Sequence, residues 1–246
     1  MKAVNELIIN QQRIPIEVRR SPRARRLSLK IESEKPELIL VIPRYALSMQ
    51  IDSFIRKQTP WIEKHWTQAL KKAQKRPKRR YQDGDTYFYF GETLSLKLIP
   101  SLSWKPGIRV VGNNLEITLH KATSLSDGKK TIKKIVQEFY KKKAEEVIHD
   151  RLQFFNEHYG LKYNRVTFRN QKTRWGSCSS AKNLNFNWRL IMAPIEIIDY
   201  VVVHELCHIK YMNHSAAFWK LVSELIPNHK EMRRWLKDNH YLLSYS

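Results

Sequence analysis

The sequence is poor in cysteine, in acidic residues and in long apolar runs. Only two of its 246 residues are cysteines, Cys178 and Cys207, so a disulfide framework is excluded and a reducing compartment is indicated. The start of the chain lacks the unbroken apolar stretch of a signal peptide, and no uncharged run approaches the ~20 apolar residues of a membrane span. We therefore expect a soluble, cytoplasmic protein without a membrane partner.

Acidic residues are the scarcer charged class, 23 against 45 lysines and arginines, which gives a formal net charge of +22. A field of this sign attracts polyanions. The basic residues form short clusters at 19–26, 71–80 and 129–143. Two interpretations stay open: a solvated basic surface, or a surface that contacts nucleic acid or nucleotides.

A hydrophobic content of 42% is sufficient for a real core, and the first half of the chain has mostly strand patterning. The first 45 residues alternate with period two, which predicts four short strands. The pattern turns helical at Ser48, and Thr59 followed by Pro60 predicts the start of a second helix. Two further hairpins are expected, with turns at Gly91 and at the GNN triplet of residues 112–114.

The second half reads as α+β. A helix of about 30 residues after Ser124 should end at Gly160. Strands are expected at 164–170 and 184–192, forming a small antiparallel sheet, and then a motif helix and two short helices. The change of pattern near residue 122 predicts an N-terminal β-rich domain with two helices, 1–121, and a second domain, 122–246. No internal repeat stands out.

The stretch VVVHELCHIKYMNHS, residues 201–215, carries the chemistry. Residues four apart on a helix differ by about 40° around the axis, so His204 and His208 share one face and can chelate one ion. Glu205 completes the HExxH pattern, in which the glutamate is not a ligand but the base that acts on water. A catalytic zinc ion needs a third protein ligand and keeps its fourth position for water.

His214 is the expected third ligand. On an unbroken helix it would lie roughly 240° around the axis from His208, so the helix must end first, near Met212 and Asn213. Glu224 is the alternative ligand if His214 points away. Cys207 lies about 300° around from His204 and is expected to pack rather than bind metal.

Two segments carry a resemblance to a known family. RWGSCSS with NLNFNWRLIMAP, within residues 174–194, and VVVHELCHIKYMNHSAAFW, residues 201–219, resemble the YgjP-like group of predicted metal-dependent hydrolases. That group is similar to the SprT-like and WLM metallopeptidases among the zincins. The N-terminal stretches RRLSLKI, LILVIP and WIEKHW extend the resemblance over most of the chain. The spacing to the third histidine departs from the SprT-like pattern, so the resemblance does not imply their DNA-linked substrate.

The resemblance implies a zincin-like metallopeptidase domain with an HExxH active-site helix. Zinc would be bound by His204, His208 and His214, with Glu205 as the catalytic residue and a peptide or protein as substrate. Arg174, in the polar TRWGSCS loop, is our choice for a donor to the developing oxyanion.

Two other functions remain open from the sequence. One is phosphoanhydride hydrolysis of nucleoside triphosphates, with Mg²⁺ or Mn²⁺ assisting the attack. The other is nucleic-acid binding by a protein in which zinc is structural. The sequence makes no prediction of the oligomeric state.

Overall fold

The computed structural model describes residues 5–32, 36–75, 79–123, 125–157, 159–171 and 173–243. The fold is mixed α+β, with strands first and helices later, as expected. The strands are β1 Asn5–Ile9, β2 Gln12–Ser21, β3 Ser28–Glu32, β4 Glu37–Pro43, β5 Thr86–Tyr89, β6 Glu92–Ser101, β7 Gly107–Val111, β8 Asn114–His120, β9 Arg165–Arg169, β10 Gly176–Cys178 and β11 Asn183–Asn187. The helices are α1 Ser48–Lys75, α2 Leu125–Asn156, α3 Ile195–Lys210, α4 Ala216–Leu225 and α5 His229–Asn239.

The chain divides into two compact units, Met1–Arg76 and Pro77–Ser246. This division lies well before the boundary predicted near residue 122. The hairpins between the two positions supply Tyr87, Leu96 and Ile117 to the same buried core as α2 and α3, so they belong to the second unit. The change from strand to helix pattern near residue 122 shows only where one kind of secondary-structure element follows another. A domain is identified by the residues that share one core.

The first unit contains the four predicted strands, in the order β1-β2-β4-β3. The outer pairs are antiparallel and the central pair, β2 with β4, is parallel. Alternate strand residues such as Ile14, Leu38 and Leu40 point into a core that Ile62 and Trp66 of α1 complete. Period-two alternation thus directs one face of each strand into this core, although in the central strand β4 Ile39 on the opposite face is buried as well.

α1 is one continuous helix, so the prediction of a second helix beginning at Thr59 is wrong. A proline inside a helix lacks the N–H that would bond one turn back. Here Pro60 is tolerated because Ile62 and Trp66, in the turns that follow it, are buried in the core of the unit. The burial of these two side chains outweighs the missing hydrogen bond.

The second unit begins with a sheet of the same design. Its order is β5-β6-β8-β7, again with antiparallel outer pairs and a parallel central pair, and a long helix follows. β2 and β6 have 10 residues each, β3 and β7 have 5, and β4 and β8 have 7. The described chain therefore contains a repeated four-strand-and-helix unit, which the sequence did not indicate because only the alternation is common to both copies.

A third sheet, of order β10-β11-β9, lies in the C-terminal part of the second unit. β10 pairs with β11 antiparallel, but β11 pairs with β9 parallel, so the predicted small antiparallel sheet is mixed. The predicted strand 184–192 ends at Asn187 and continues as a short 3-10 helix, Trp188–Met192, because the Asn187 side chain caps this helix by accepting from the Arg189 amide.

The helix that carries the motif is fixed at its start. The amides of Phe90 and Gly91, at the β5–β6 turn, donate to the carbonyls of Ile191 and Met192 at 2.9 and 3.1 Å. Further along, Arg151 of α2 makes a two-pronged ion pair with Asp199 of α3 at 2.5 and 2.8 Å. None of the helices in the described part of the chain has the length and hydropathy of a bilayer span.

Candidate metal centre

α3 brings the motif histidines to the edge of a buried helix. Its first three turns are almost wholly buried, including Ile198, Val202 and Leu206, which anchors the helix in the core. His204 and His208 emerge on its more accessible side, and both are half-buried. The apolar run before the histidines therefore serves as packing, and the histidines begin where that packing ends.

The helix ends before His214, as the geometry of the motif required. α3 stops at Lys210, and Tyr211 is extended with φ −129° and ψ 103°. α4 then begins at Ser215, whose hydroxyl accepts from the Phe218 amide at 3.4 Å. The helix thus ends slightly before Met212 and Asn213, where we expected its end, and Asn213 does not have a positive φ.

The three histidines form a candidate ligand set, a group that could hold one metal ion. Their ligand atoms all lie within 4.8 Å of one another, and Nε2 of His214 lies 3.0 Å from Nε2 of His204. Tetrahedral zinc with Zn–N bonds of about 2.1 Å places two ligand nitrogens about 3.4 Å apart. The His204–His214 spacing is close to this value, and the widest spacing in the group would have to shorten slightly around an ion. Glu224, the alternative ligand, is exposed on α4 and is not part of the group.

Each histidine ring is oriented by a neighbour. Nδ1 of His208 lies 3.0 Å from the Tyr211 carbonyl, so this nitrogen carries the proton and Nε2 is left for a metal. The ring of His214 stacks on Trp219, with centroids 5.5 Å apart and planes at 22°. Phe218 contacts the rings of all three histidines, at centroid distances of 4.5 to 5.0 Å. Sequence reasoning missed these aromatic contacts, although FW at 218–219 follows His214 by about one helical turn.

A second layer supports Trp219 from α5. The buried side chain of His229 stacks on Trp219 with centroids 5.4 Å apart, and the Arg233 guanidinium lies 5.3 Å from the Trp219 ring centroid. Burial, with His208, His214 and Arg233, lowers the pKa of His204 from 6.5 to about 3. The imidazole is therefore neutral at neutral pH, the state that binds a metal ion.

Glu205 is buried directly behind the ligand set, with 4% of its surface exposed. It packs against β10: a Cβ built on Gly176 would lie 2.5 Å from its Oε1 and 2.6 Å from its Cγ. Its Oε2 has no protein hydrogen-bond partner. Burial raises the pKa of Glu205 from 4.5 to about 8, and the charge of Arg174 acts in the opposite direction. A buried carboxyl with a pKa near neutrality suits proton transfer.

This burial predicts a pH-dependent stability of the metal-free protein. A raised folded-state pKa gives stability that is complete below the unfolded value of 4.5 and is lost as pH rises toward 8. Glu205→Gln removes the charged form, so metal-free E205Q should be more stable than wild type by on the order of 3 kcal/mol at about pH 7 and by much less near pH 5. Urea unfolding of both proteins with a chelator present measures this difference. A gap that stays constant across that pH range would contradict the burial of a titrating carboxyl.

Two buried polar residues hold the loop that carries Arg174. The Asn187 side chain donates to the carbonyls of Gln171 and Arg174 at 2.7 and 3.1 Å, and its backbone N–H donates to the Trp175 carbonyl at 2.8 Å. Arg189 also donates to the Gln171 carbonyl. The Arg174 backbone is thus fixed, while its side chain is exposed and acts on Glu205 through its charge. Sequence reasoning assigned no role to Asn187 or Arg189.

Neither cysteine belongs to the ligand set. Cys207 is buried in the core, and burial raises the pKa of its thiol to about 12. Cys178 is half-buried on β10, where burial and Glu205 raise the pKa of its thiol. Among the described residues, the group able to hold an ion is the histidine triplet.

The three histidine side chains could hold one metal ion, and the buried Glu205 lies on the same helix as two of them, an arrangement typical of metallohydrolase sites. The family model described as YgjP-like, metallopeptidase domain, matches residues 25–239, so the chain belongs to the YgjP-like family. It is a metallopeptidase-family protein, which implies a divalent metal and a peptide or protein substrate.

The other comparisons are sparser. No curated protein matches the chain. Among solved structures, the chain is similar to the metallopeptidase zymogen of Pyrococcus abyssi abylysin, with 22% identity and a TM-score of 0.35. That match covers 39% of this chain and 99% of the other.

Proposed function

We propose that this protein is a zinc-dependent peptidase of the zincin type. His204, His208 and His214 would hold the ion, and Glu205 would act as the general base on a water molecule that attacks a peptide carbonyl. The observation that carries the proposal is the convergence of the three ligand atoms within 4.8 Å, beside a carboxylate that is 4% exposed. Three histidines leave a fourth position for water, whereas structural zinc sites usually fill all four with protein ligands.

In this proposal the metal ion, Glu205 and Arg174 have separate chemical roles. When bound, zinc supplies a Lewis acid that acidifies water and polarises a carbonyl. Glu205 takes the proton from the attacking water and passes it to the leaving amine, for which a pKa near neutrality is suited. The Arg174 guanidinium, presented on a fixed loop, is the proposed donor to the oxyanion.

β10 is the proposed peptide-binding strand. It is an edge strand, paired on one side with β11, and it carries Gly176 directly against Glu205. An extended peptide that adds to this edge by backbone hydrogen bonds would bring its carbonyl close to the carboxylate. β9, at the other edge of the sheet, is separated from β10 by the width of β11.

The metal choice follows from the donor atoms. Imidazole nitrogens suit zinc and the later transition metals, while Mg²⁺ and Mn²⁺ prefer carboxylate and phosphate oxygens. The all-histidine set therefore favours peptide over nucleotide hydrolysis.

A cleavage screen tests the proposal. Purified protein is analysed for metal and incubated with a peptide mixture derived from a whole proteome, and new termini are identified by mass spectrometry. We expect one zinc ion per chain and new peptide termini that disappear with a chelator and return with added zinc. A parallel arm measures phosphate and pyrophosphate release from nucleoside triphosphates. Release of either product without new peptide termini would replace the peptidase assignment by the nucleotide one.

A further inference from the structure

A basic groove lies in the first unit, between the end of β4 and the first turns of α1. We call it the α1 groove; its volume is about 720 Å³. Its charged lining residues are Arg25, Arg26 and Lys57, all of them exposed. None of the described residues that line it is acidic. The groove is therefore a concave surface of a single charge sign.

Large apolar side chains stand exposed at the same place. Tyr45 is 86% exposed, Leu47 65% and Met49 81%, and none of them is part of the core of the unit. The Arg44 guanidinium lies 5.8 Å from the Tyr45 ring centroid, and Arg20 holds this turn by donating to the Arg44 carbonyl at 3.2 Å. Three large apolar side chains exposed within five residues of chain, none of them used by the core, favour a binding surface here.

The repeated unit provides an internal comparison. An equivalent groove of about 370 Å³ lies between the end of β8 and the first turns of α2. His120 there ends the last strand as Pro43 does in the first unit, and the exposed Trp104 stacks on His120 with centroids 3.6 Å apart. Asp127 lines this second groove, and none of its described lining residues is lysine or arginine. The same architecture thus forms without a basic lining, so the arginines of the α1 groove are not a requirement of the fold.

We propose that the α1 groove binds single-stranded nucleic acid. Arg25, Arg26 and Lys57 contact backbone phosphates, and one base stacks on the exposed ring of Tyr45. Proteins that bind single strands without sequence readout combine these two features: a basic groove that follows the backbone, and an aromatic side chain on which bases stack. A duplex hides the faces of its bases, and an acidic peptide offers carboxylates but no base to stack. This site is separate from the metal centre and does not depend on the proposed peptidase activity.

The test is fluorescence anisotropy with the full-length protein and a labelled single strand of about 12 nucleotides, in separate RNA and DNA arms. A chelator is present and no peptide is added, so the result is independent of the metal centre. We expect both strands to bind, with log Kobs falling against log salt concentration at a slope of about −2, since three phosphate contacts on a single strand contribute about 0.7 each. A duplex and a polyglutamate peptide of the same length should bind at least about tenfold more weakly.

Variants separate the two kinds of contact. R25Q/R26Q/K57Q should flatten the salt slope to near zero. Tyr45→Ala should weaken binding by roughly 5- to 150-fold with the slope unchanged, and Tyr45→Phe should retain the affinity. The matched control is K64Q/K71Q/K75Q, which removes three exposed lysines of α1 outside the groove and should change Kd by less than about threefold.

Several results would overturn the proposal. Absence of single-strand binding would do so directly. Equal losses of affinity in R25Q/R26Q/K57Q and in K64Q/K71Q/K75Q would show that binding depends only on the net charge of the chain. Unchanged affinity of Tyr45→Ala would contradict the proposed stacking contact. Equal affinity for polyglutamate or for a duplex would contradict the assignment to single strands. All the substituted side chains are exposed, so the variants should keep the wild-type fold, and circular dichroism checks this.

Discussion

Replacing Glu205 by glutamine is expected to lower kcat/KM for peptide hydrolysis by roughly 10²- to 10⁴-fold, the contribution of a positioned general base. Glutamine has nearly the same shape and fits the space between α3 and Gly176, but it cannot accept the proton of the attacking water. Because the candidate ligand group consists of the three histidines and Glu205 is proposed as the base, zinc content should stay at the wild-type value. Steady-state kinetics on the best peptide of the screen, with metal analysis of the same samples, measures both quantities.

The matched control for this variant is Glu224→Gln. Glu224 is an exposed glutamate on the neighbouring helix α4 and lies outside the ligand set, so its loss should leave kcat/KM unchanged. The general-base role is contradicted if E205Q retains activity within about tenfold of wild type with full zinc content. Loss of zinc from E205Q would instead indicate that the carboxylate helps to bind the ion.

The candidate ligand set was predictable because it depends on local geometry. Four-residue spacing on a helix places His204 and His208 together regardless of the rest of the fold. The requirement that the helix end before His214 then predicted a break, and the structure has one between Lys210 and Ser215. The conformation in which the helix ends, with Tyr211 extended, could not be predicted from the spacing of the histidines.

The features that the sequence mispredicted depend on contacts between distant segments. Alternation indicates that a segment is a strand but not its neighbour, so the parallel pair of β9 and β11 was not foreseen. The domain boundary failed for the same reason, because the core residues Tyr87 and Ile117 act with helices that follow much later in the chain. Pro60 was interpreted by its local preference for a first turn, and burial of α1 overrode that preference.

Gly176 shows how a residue packed against the candidate site escapes sequence analysis. It lies in the RWGSCSS segment, where a glycine before serines reads as an ordinary turn residue. In the structure Gly176 is part of strand β10, and its φ is not positive. Glycine is required there because the Glu205 side chain occupies the space that a Cβ would need. A contact between residues 29 positions apart has no signature in local spacing.

Gly176→Ala is therefore expected to impair catalysis by displacing the base. The added Cβ would lie 2.5 Å from Oε1, 2.6 Å from Cγ and 2.8 Å from Cδ of Glu205, so the glutamate side chain must move. A catalytic group displaced by about 1 Å can cost about 10²-fold in rate, and we expect a loss of that order in kcat/KM with zinc content retained. The control is Gly128→Ala, whose Cβ meets only Thr123 Cγ2, at 3.9 Å.

A double-mutant cycle distinguishes this positioning role from general destabilisation. Glu205→Asp shortens the side chain that the new methyl group would strike, so Gly176→Ala should cost less unfolding free energy in the Glu205→Asp background than in wild type. Two residues in contact typically give a coupling of about 0.5–3 kcal/mol, whereas independent sites add. Chemical denaturation of the metal-free proteins measures the coupling. Additive losses, or a Gly176→Ala variant with wild-type kcat/KM, would show that β10 does not hold the carboxylate in place.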